Sequence, residues 1–190
     1  MEAIILAGGF GTRLRAVVPN LPKPMAPVAG RPFLEILLDN LAKKGFKRVV
    51  LSLGFMANHI IDHFQGVYAG IELVPVVEER PLGTGGGVRL AMEQILSDHV
   101  YVFNGDTFLD LEVFDVENVW LARRRPIVVG RNVQDTNRYG RLIVEDGFVV
   151  GFTEKGVNGP GLINAGCYIL PKGALAGFPL NTSFSLEKDF

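Results

Sequence analysis

Three glycines in the four positions Gly8-Gly9-Phe10-Gly11 come straight after the apolar run Ile4-Ile5-Leu6, and Thr12-Arg13 and Pro22-Lys23-Pro24 follow them. Glycine has no Cβ, tolerates positive φ and lets backbone N–H groups approach an anion, so such a loop suits a triphosphate. Arg13 offers a planar fork of donors and Lys23 a point charge on a flexible stem, the two kinds of cation that hold phosphate oxygens. A carboxylate completes the set: Asp106, in Asn104-Gly105-Asp106, follows the apolar run Val100-Tyr101-Val102-Phe103. One carboxylate can anchor Mg²⁺, which draws its other ligands from water and substrate phosphates. The chemistry these residue types suit is transfer at a nucleotide phosphate.

Two widespread glycine motifs do not fit. A dinucleotide fingerprint counted from Gly9 needs glycine at position 14, where Leu14 stands, and a Walker A loop needs Gly-Lys-Ser/Thr, which the chain lacks. A structural glycine turn and a turn aspartate after a strand would account for either segment alone. The longer pattern Leu6-Ala7-Gly8-Gly9-x-Gly11-Thr12-Arg13-Leu14 with Pro22-Lys23-Pro24 resembles the signature of the sugar-1-phosphate nucleotidylyltransferases. The resemblance is strongest to guanylyltransferases acting on heptose- or mannose-type 1-phosphates, and it extends across essentially the whole chain.

That resemblance implies a Rossmann-like nucleotidyltransferase fold and Mg²⁺-dependent transfer of a nucleoside monophosphate from an NTP to a sugar 1-phosphate. Arg13, Lys23 and Asp106 take the catalytic positions, with Asp106 also the metal ligand. Leu6, Ala7, Gly8, Gly9, Gly11 and Thr12 form the phosphate loop; Glu78, Pro81, Leu82, Gly83 and Thr84 belong to the base pocket, where Gly83 to Gly87 would leave backbone bare for the base. Relatives that use uridine or thymidine nucleotides commonly carry Gln where Glu78-Glu79 stands. A carboxylate can accept from N1–H and the 2-amino group of guanine but meets only acceptors at uracil O2 and O4, so GTP is favoured over another NTP. Tyr139-Gly140, Glu154-Lys155 and Asn164-Ala165-Gly166 match the sugar-phosphate half-site. There Glu154 and Asn164 would hold sugar hydroxyls, Lys155 the phosphate, and Gly140 would leave room for the flat sugar ring, with Gly166 in the same half-site. Gly156 replaces the proline the family usually places after Glu-Lys. The resemblance also allows a homo-oligomer. Residues 183–190 match a helix that, in the family, precedes a second metal-binding aspartate, so the expectation is a chain shortened at its C-terminus. Uridylyl or thymidylyl transfer, and a catalytically silent nucleotide-sugar-binding regulatory subunit, remain open alternatives.

The composition fits one catalytic domain, with residues 1–110 as the nucleotide half and 111–190 as the sugar-phosphate half. The 190 residues are 48% hydrophobic, enough for one substantial core. With 19 Lys+Arg against 20 Asp+Glu the net charge is −1, so no global field recruits nucleic acid or an anionic membrane. The single cysteine, Cys167, cannot form an internal disulfide, and the N-terminus has no basic and apolar leader; both point to the cytoplasm.

The elements that must position these groups alternate. Apolar spacing predicts a helix over 31–45, a strand over 47–54, a helix over 56–64 and a strand over 71–77. A glycine-opened helix over 84–96 and a strand over 100–103 follow. This β-α-β order implies an α/β fold built on a doubly wound, mostly parallel sheet, with ligands at the carboxyl ends of its strands. Beyond residue 110 the spacing predicts a helix over 111–124, strands over 127–131 and 163–170, and a hairpin over 141–152 turned at Asp146-Gly147. This second half is expected to be antiparallel and to extend the sheet. His59 and His63, at i and i+4, have no neighbouring carboxylate motif to suggest a metal, and His99 has no evident partner.

Overall fold

The computed structural model of the chain describes residues 1–11, 20–153 and 155–190. The apolar run before the glycine loop is strand β1 (Glu2–Leu6). After a 3-10 turn at Lys23–Met25, strands β2 (Pro27–Val28) and β3 (Arg31–Pro32) pair antiparallel across Ala29-Gly30, whose φ values are 50° and 81°. Helix α1 (Phe33–Lys43) therefore starts after Pro32 and not at Arg31, because Pro32 is extended in β3 at ψ 134°. The chain continues through β4 (Arg48–Leu53), α2 (Ala57–Phe64), β5 (Val67–Tyr68), β6 (Ile71–Val77), α3 (Gly83–Ala91) and β7 (His99–Asn104). The second half contributes α4 (Val113–Arg123), β8 (Ile127–Val133), β9 (Leu142–Glu145), β10 (Phe148–Phe152) and β11 (Gly161–Pro171). Among the described residues, no helix is long and apolar enough to cross a membrane.

The central sheet has seven strands in the order β5-β6-β4-β1-β7-β11-β8. β6, β4, β1 and β7 run parallel, with Ile4 of β1 registered between Val50 of β4 and Val102 of β7. β11 pairs antiparallel with β7 and with β8, and β5 pairs antiparallel with β6 at the other edge. The sheet is mostly parallel and mixed, as the alternating pattern requires. From β1 the chain winds outward to β4 and β6, then returns to place β7 on the other side of β1. The order of winding thus reverses between β1 and β7, where α/β sheets open a crevice at their carboxyl ends.

Both faces are covered, and the twofold repeat of the strands assigns residues to each. Ala3, Ile5, Val49, Leu51, Tyr101, Phe103, Cys167 and Ile169 face one core, filled by Leu34, Leu38 and Leu41 of α1, Ile60 and Phe64 of α2 and Trp120 of α4. Ile4, Val50, Val100, Val102, Tyr168 and Leu170 face the other, filled by Val88 and Ala91 of α3 with Leu175, Phe184 and Leu186. Each valine, leucine, isoleucine or phenylalanine among them, fully buried, contributes about 1.5–3 kcal/mol. Burial on both sides explains why these strands read as continuous apolar runs.

Three further expectations are corrected. The 141–152 hairpin forms, with Asp146 and Gly147 at φ 50° and 79° as a type I′ turn needs, but β9 and β10 make a separate two-stranded sheet. Among the described residues, β7 pairs with β11 only over Cys167–Pro171, and beside the earlier part of β11 the hairpin is tied to the main sheet by a single bridge, from Arg141 to Ile163. Residues 183–190 hold one helical turn, closed by the Asp189 N–H donating to the Ser185 carbonyl at 3.1 Å, because the Phe184 backbone bonds instead to Leu82 O and the Gly85 N–H. His99 does have partners: its Nδ1 is 2.6 Å from Asp98 and its Nε2 3.2 Å from Glu117, with its ring stacked on Trp120. On the surface between α1 and α2, His63 Nε2 pairs with Glu35 at 2.9 Å.

Candidate active site

A cleft of about 760 Å³ opens at the carboxyl ends of β1 and β7, a size within the usual small-molecule range of about 300–1,000 Å³. Its walls include Leu6, Ala7, Gly8, Gly9 and Gly11 on one side and Asn104, Gly105 and Asp106 on the other. Lys23, Glu78, Pro81, Gly83 and Thr84 complete it. The two loops leave their strands in register: Ala7 N–H donates to Ser52 O at 2.8 Å and Gly105 N–H to Leu6 O at 2.9 Å. Residues 83 positions apart in the chain thereby meet, since the Lys23 ammonium is hydrogen-bonded to the Asp106 carboxylate.

The glycines divide into those that make room for a ligand and those that make room for the protein. A Cβ on Gly9 would meet nothing within 4 Å, so this position leaves the loop open to an anion. Gly11, at φ 57°, lies against Lys23, and a Cβ there would come within 2.9 Å of the lysine stem. Gly8 and Gly54 are bare because Glu78 lies over them: added Cβ atoms would be 3.0 and 2.7 Å from its Oε1. Glu78 Oε2 accepts the Leu82 N–H at 3.1 Å. Burial pushes the Glu78 carboxyl above the usual carboxylate range, opposed by the Leu82 hydrogen bond. Glu79 next to it is exposed.

Gly85, Gly86 and Gly87 serve a different purpose from the bare shelf for a base that the sequence suggests. Added Cβ atoms would come within 2.2 Å of the Phe184 ring at Gly85, 2.4 Å of Thr182 O at Gly86 and 2.9 Å of Ser52 Oγ at Gly87. Glycine inside a helix costs about 1 kcal/mol relative to alanine, and here close packing of the C-terminal segment and of β4 offsets that cost. Of this stretch Gly83 and Thr84 line the cleft, while Leu82 is buried behind it.

Among the described residues, the motifs expected to form the sugar-phosphate half-site do not line this cleft and are held by side-chain hydrogen bonds. Asn164 Oδ1 accepts Gly166 N–H at 2.9 Å, and its Nδ2 donates to Tyr168 OH at 2.5 Å. The β11 register shifts between Asn164 and Tyr168, and Gly166 sits there at φ 76° with its α-carbon against Asn104 of the cleft. Asn164 keeps one amide hydrogen and one lone pair for another group. Gly140 packs so close to Thr153 O that a Cβ would lie 2.5 Å away, a reason for glycine that needs no sugar. Lys155 is exposed, and Gly156 takes φ 97°. Thr12, Arg13 and Glu154 lie outside the described residues.

Several residues that matter to this arrangement carry no sequence motif. Thr136, fully buried, donates to the carbonyl of Val157 at 2.6 Å and accepts from Arg141 Nε at 2.7 Å. Arg141 Nη2 reaches the carbonyls of Asn158 and Gly159. Together they clamp the loop that carries Lys155 against the loop that carries Gly140. Phe10 stands half-exposed at the cleft and packs on Phe55 with ring centroids 5.5 Å apart. A lone threonine and arginine in a polar stretch give no periodicity to find them by.

Among the described residues, no three His, Cys, Asp or Glu side chains gather to hold an ion by themselves. A cation here would use Asp106 together with oxygens of the bound phosphates, a donor set that suits Mg²⁺.

Residues 2–182 match the model of the "Nucleotidyl transferase" family. The chain is 38% identical over 189 residues to the D-glycero-alpha-D-manno-heptose 1-phosphate guanylyltransferase of Campylobacter jejuni, covering 99% of this chain and 84% of that protein. It is 38% identical over 191 residues to the enzyme of the same name from Aneurinibacillus thermoaerophilus, covering 100% of this chain and 83% of that one. Its fold superposes on HddC from Yersinia pseudotuberculosis complexed with GMP-PN at a TM-score of 0.89 and 38% identity, covering 100% of this chain and 84% of that one. With its glycine loop, Lys23 and Asp106 gathered at the reversal point of the sheet, the chain belongs to the nucleotidyl transferase family.

Proposed function

We propose that this protein transfers GMP from GTP to a heptose- or mannose-type sugar 1-phosphate and releases pyrophosphate. The observation that carries the reading is the cleft itself, which unites an open glycine loop, a lysine, an aspartate and a half-buried carboxylate at one sheet end. The guanylyltransferase names of the relatives and the GMP-PN bound to HddC support the same nucleotide.

In the reaction an oxygen of the sugar phosphate forms a bond to the α-phosphorus of GTP while the bond from that phosphorus to the bridging oxygen breaks. The leaving pyrophosphate keeps the electron pair, and no enzyme-bound intermediate is needed. The protein's part is positioning and neutralisation of charge. The loop from Gly8 to Gly11 offers backbone N–H groups to the phosphates, and Lys23 supplies a charge able to follow them. Arg13 is assigned to the leaving pyrophosphate, and Glu78 is assigned to the guanine edge. On the acceptor side Lys155 and Glu154 receive the sugar phosphate and hydroxyls, with Gly140, Asn164 and Gly166 shaping that pocket. Mg²⁺, held by Asp106, would neutralise the triphosphate. Displacing the Lys23 ammonium from Asp106 frees both groups for those roles.

Pyrophosphate release measured across GTP, ATP, CTP, UTP and dTTP with heptose, mannose and glucose 1-phosphates tests this. GTP with a heptose or mannose acceptor is expected to give the highest kcat/KM. Faster turnover of UTP or dTTP would overturn the guanine assignment, and nucleotide binding without turnover would overturn the transfer.

A further inference from the structure

The C-terminal segment carries a carboxylate that the cleft does not display. Phe184 O accepts Gly85 N–H at 3.0 Å and Phe184 N–H donates to Leu82 O at 3.0 Å, so the segment is fastened over the first turn of α3. This sets Glu187 between the two halves of the molecule. Its Oε2 accepts from Thr84 Oγ1 at 3.0 Å and from Ser185 Oγ at 3.0 Å. Its Oε1 accepts from Tyr168 OH at 2.6 Å. Each partner is fixed from its other side as well: Thr84 Oγ1 accepts Leu186 N–H at 2.9 Å, and Tyr168 OH accepts from Asn164 Nδ2. Every hydrogen on these hydroxyls is thereby assigned one direction.

From this connection we infer that Glu187 is a positioning residue that sets the nucleotide loop against the acceptor pocket. The path runs Thr84, Glu187, Tyr168, Asn164, Gly166. Thr84 lines the cleft at the nucleotide side, and Gly166 abuts Asn104 across it. The two ends belong to segments about which substrates must align, yet no backbone ladder joins α3 to β11. A carboxylate accepting from both sides fixes their separation, because lengthening either bond leaves a half-buried charge with fewer donors. Burial, together with Glu187, pushes the Tyr168 hydroxyl far above its ordinary range, so it stays protonated as a donor. In-line transfer is sensitive to such spacing: a misplacement of about 1 Å can cost about 100-fold. Glu187 itself touches neither substrate in this assignment, which rests on the transfer reaction proposed above.

The experiment is steady-state kinetics on the full chain with GTP and the best sugar 1-phosphate, alongside direct GTP binding. Glu187→Ala is expected to lower kcat/KM for the sugar 1-phosphate about 10-fold or more at saturating GTP, while the GTP dissociation constant moves less than about 3-fold. Glu187→Gln should recover most of the loss, since its carbonyl accepts from Tyr168 and its amide can donate to Thr84. Thr84→Val and Tyr168→Phe each remove one hydroxyl and leave the carbon frame. Their effects on kcat/KM should be non-additive in the parent and additive once Glu187 is alanine. Unchanged kinetics in Glu187→Ala with an active parent overturns this inference alone. So does additivity of Thr84→Val and Tyr168→Phe in the parent. An inactive parent overturns the transfer reading and this inference with it.

Discussion

The half of the molecule that holds the cleft and the half assigned to the acceptor are built by different means. On the nucleotide side, β1 and β7 lie hydrogen-bonded to each other in parallel register, and the glycine loop and Asp106 stand on the residues immediately past their ends, with the 3-10 turn at Lys23 brought against Asp106. Backbone alone determines where they are. On the acceptor side, β9 and β10 stand apart from the main sheet, and side chains fasten the loops: Thr136 and Arg141 hold the carbonyls of Val157, Asn158 and Gly159, and Asn164 pins the irregularity in β11. One region inherits its geometry from a sheet that many residues stabilise. The other depends on a few hydrogen bonds, each removable by one substitution. Changes on the first side should therefore damage chemistry and spare the fold; on the second side, binding and stability should move together.

Lys23→Ala tests the first half of that contrast and should give the largest effect. Loss of a group that stabilises transferring charge is worth roughly 2.7–4 kcal/mol, or about 10²–10³ in kcat. The ion pair with Asp106 is partly exposed, with 34% and 42% of the two side chains accessible, so the melting temperature should barely change. A fall in melting temperature that matches the fall in activity would remove the contrast.

Gly85→Ala probes the join between the regions. The new methyl would meet the Phe184 ring, and overpacking of this kind costs about 1–3 kcal/mol. Denaturant unfolding should show that loss, and Gly85→Ala with Phe184→Leu should regain part of it. Equal stability of Gly85→Ala and the parent would mean that Phe184 does not seat there.

On the acceptor side, Thr136→Val removes a buried hydroxyl that serves both Val157 O and Arg141 Nε. Leaving these groups unpaired costs about 1–3 kcal/mol. The KM for the sugar 1-phosphate should rise while the GTP dissociation constant stays within about twofold of the parent. An equal effect on both substrates would show that the two sides are not separately built.

The smallest expected effect is a pH dependence. Burial raises the pKa of Glu78, so between its ordinary and its raised value the folded protein holds a proton that the unfolded chain has released. Above the raised value the ionised carboxylate is a cost to the folded state, and guanine donors would relieve it. GTP affinity, measured relative to UTP to cancel titration of the phosphates, should weaken as pH falls through that raised value. Glu78→Gln should flatten the profile. A GTP/UTP ratio independent of pH in the parent would take Glu78 away from the base.

Much of the fold could be read locally. Ile4-Ile5-Leu6 and Val100-Tyr101-Val102-Phe103 announce buried strands by composition, and Asp146-Gly147 announces a hairpin because few other residues accept two successive positive φ values. The Ala29-Gly30 turn uses the same conformation without announcing it, because alanine, here at φ 50°, carries no turn signal. The glycine loop, Lys23 and Asp106 were legible as phosphate chemistry by residue type and spacing, and the doubly wound topology then brought 23 and 106 together at its reversal point.

The use of each polar group was another matter. Glu35 with His63, Glu117 with His99 and Thr84 with Glu187 pair across 28, 18 and 103 positions, and no local pattern relates such residues. Gly85 and Gly86 show the same limit. Their missing side chains mark a close approach, but whether by a base or by Phe184 depends on which segment folds over α3. Sequence determined the periods, the turns and the residues able to bind phosphate, because these follow from the backbone freedom and charge of a few neighbours. Which polar groups meet, and which glycines serve a ligand and which the core, was decided only when distant faces packed. There the desolvation of each donor and acceptor had to be matched by a partner brought from elsewhere in the chain.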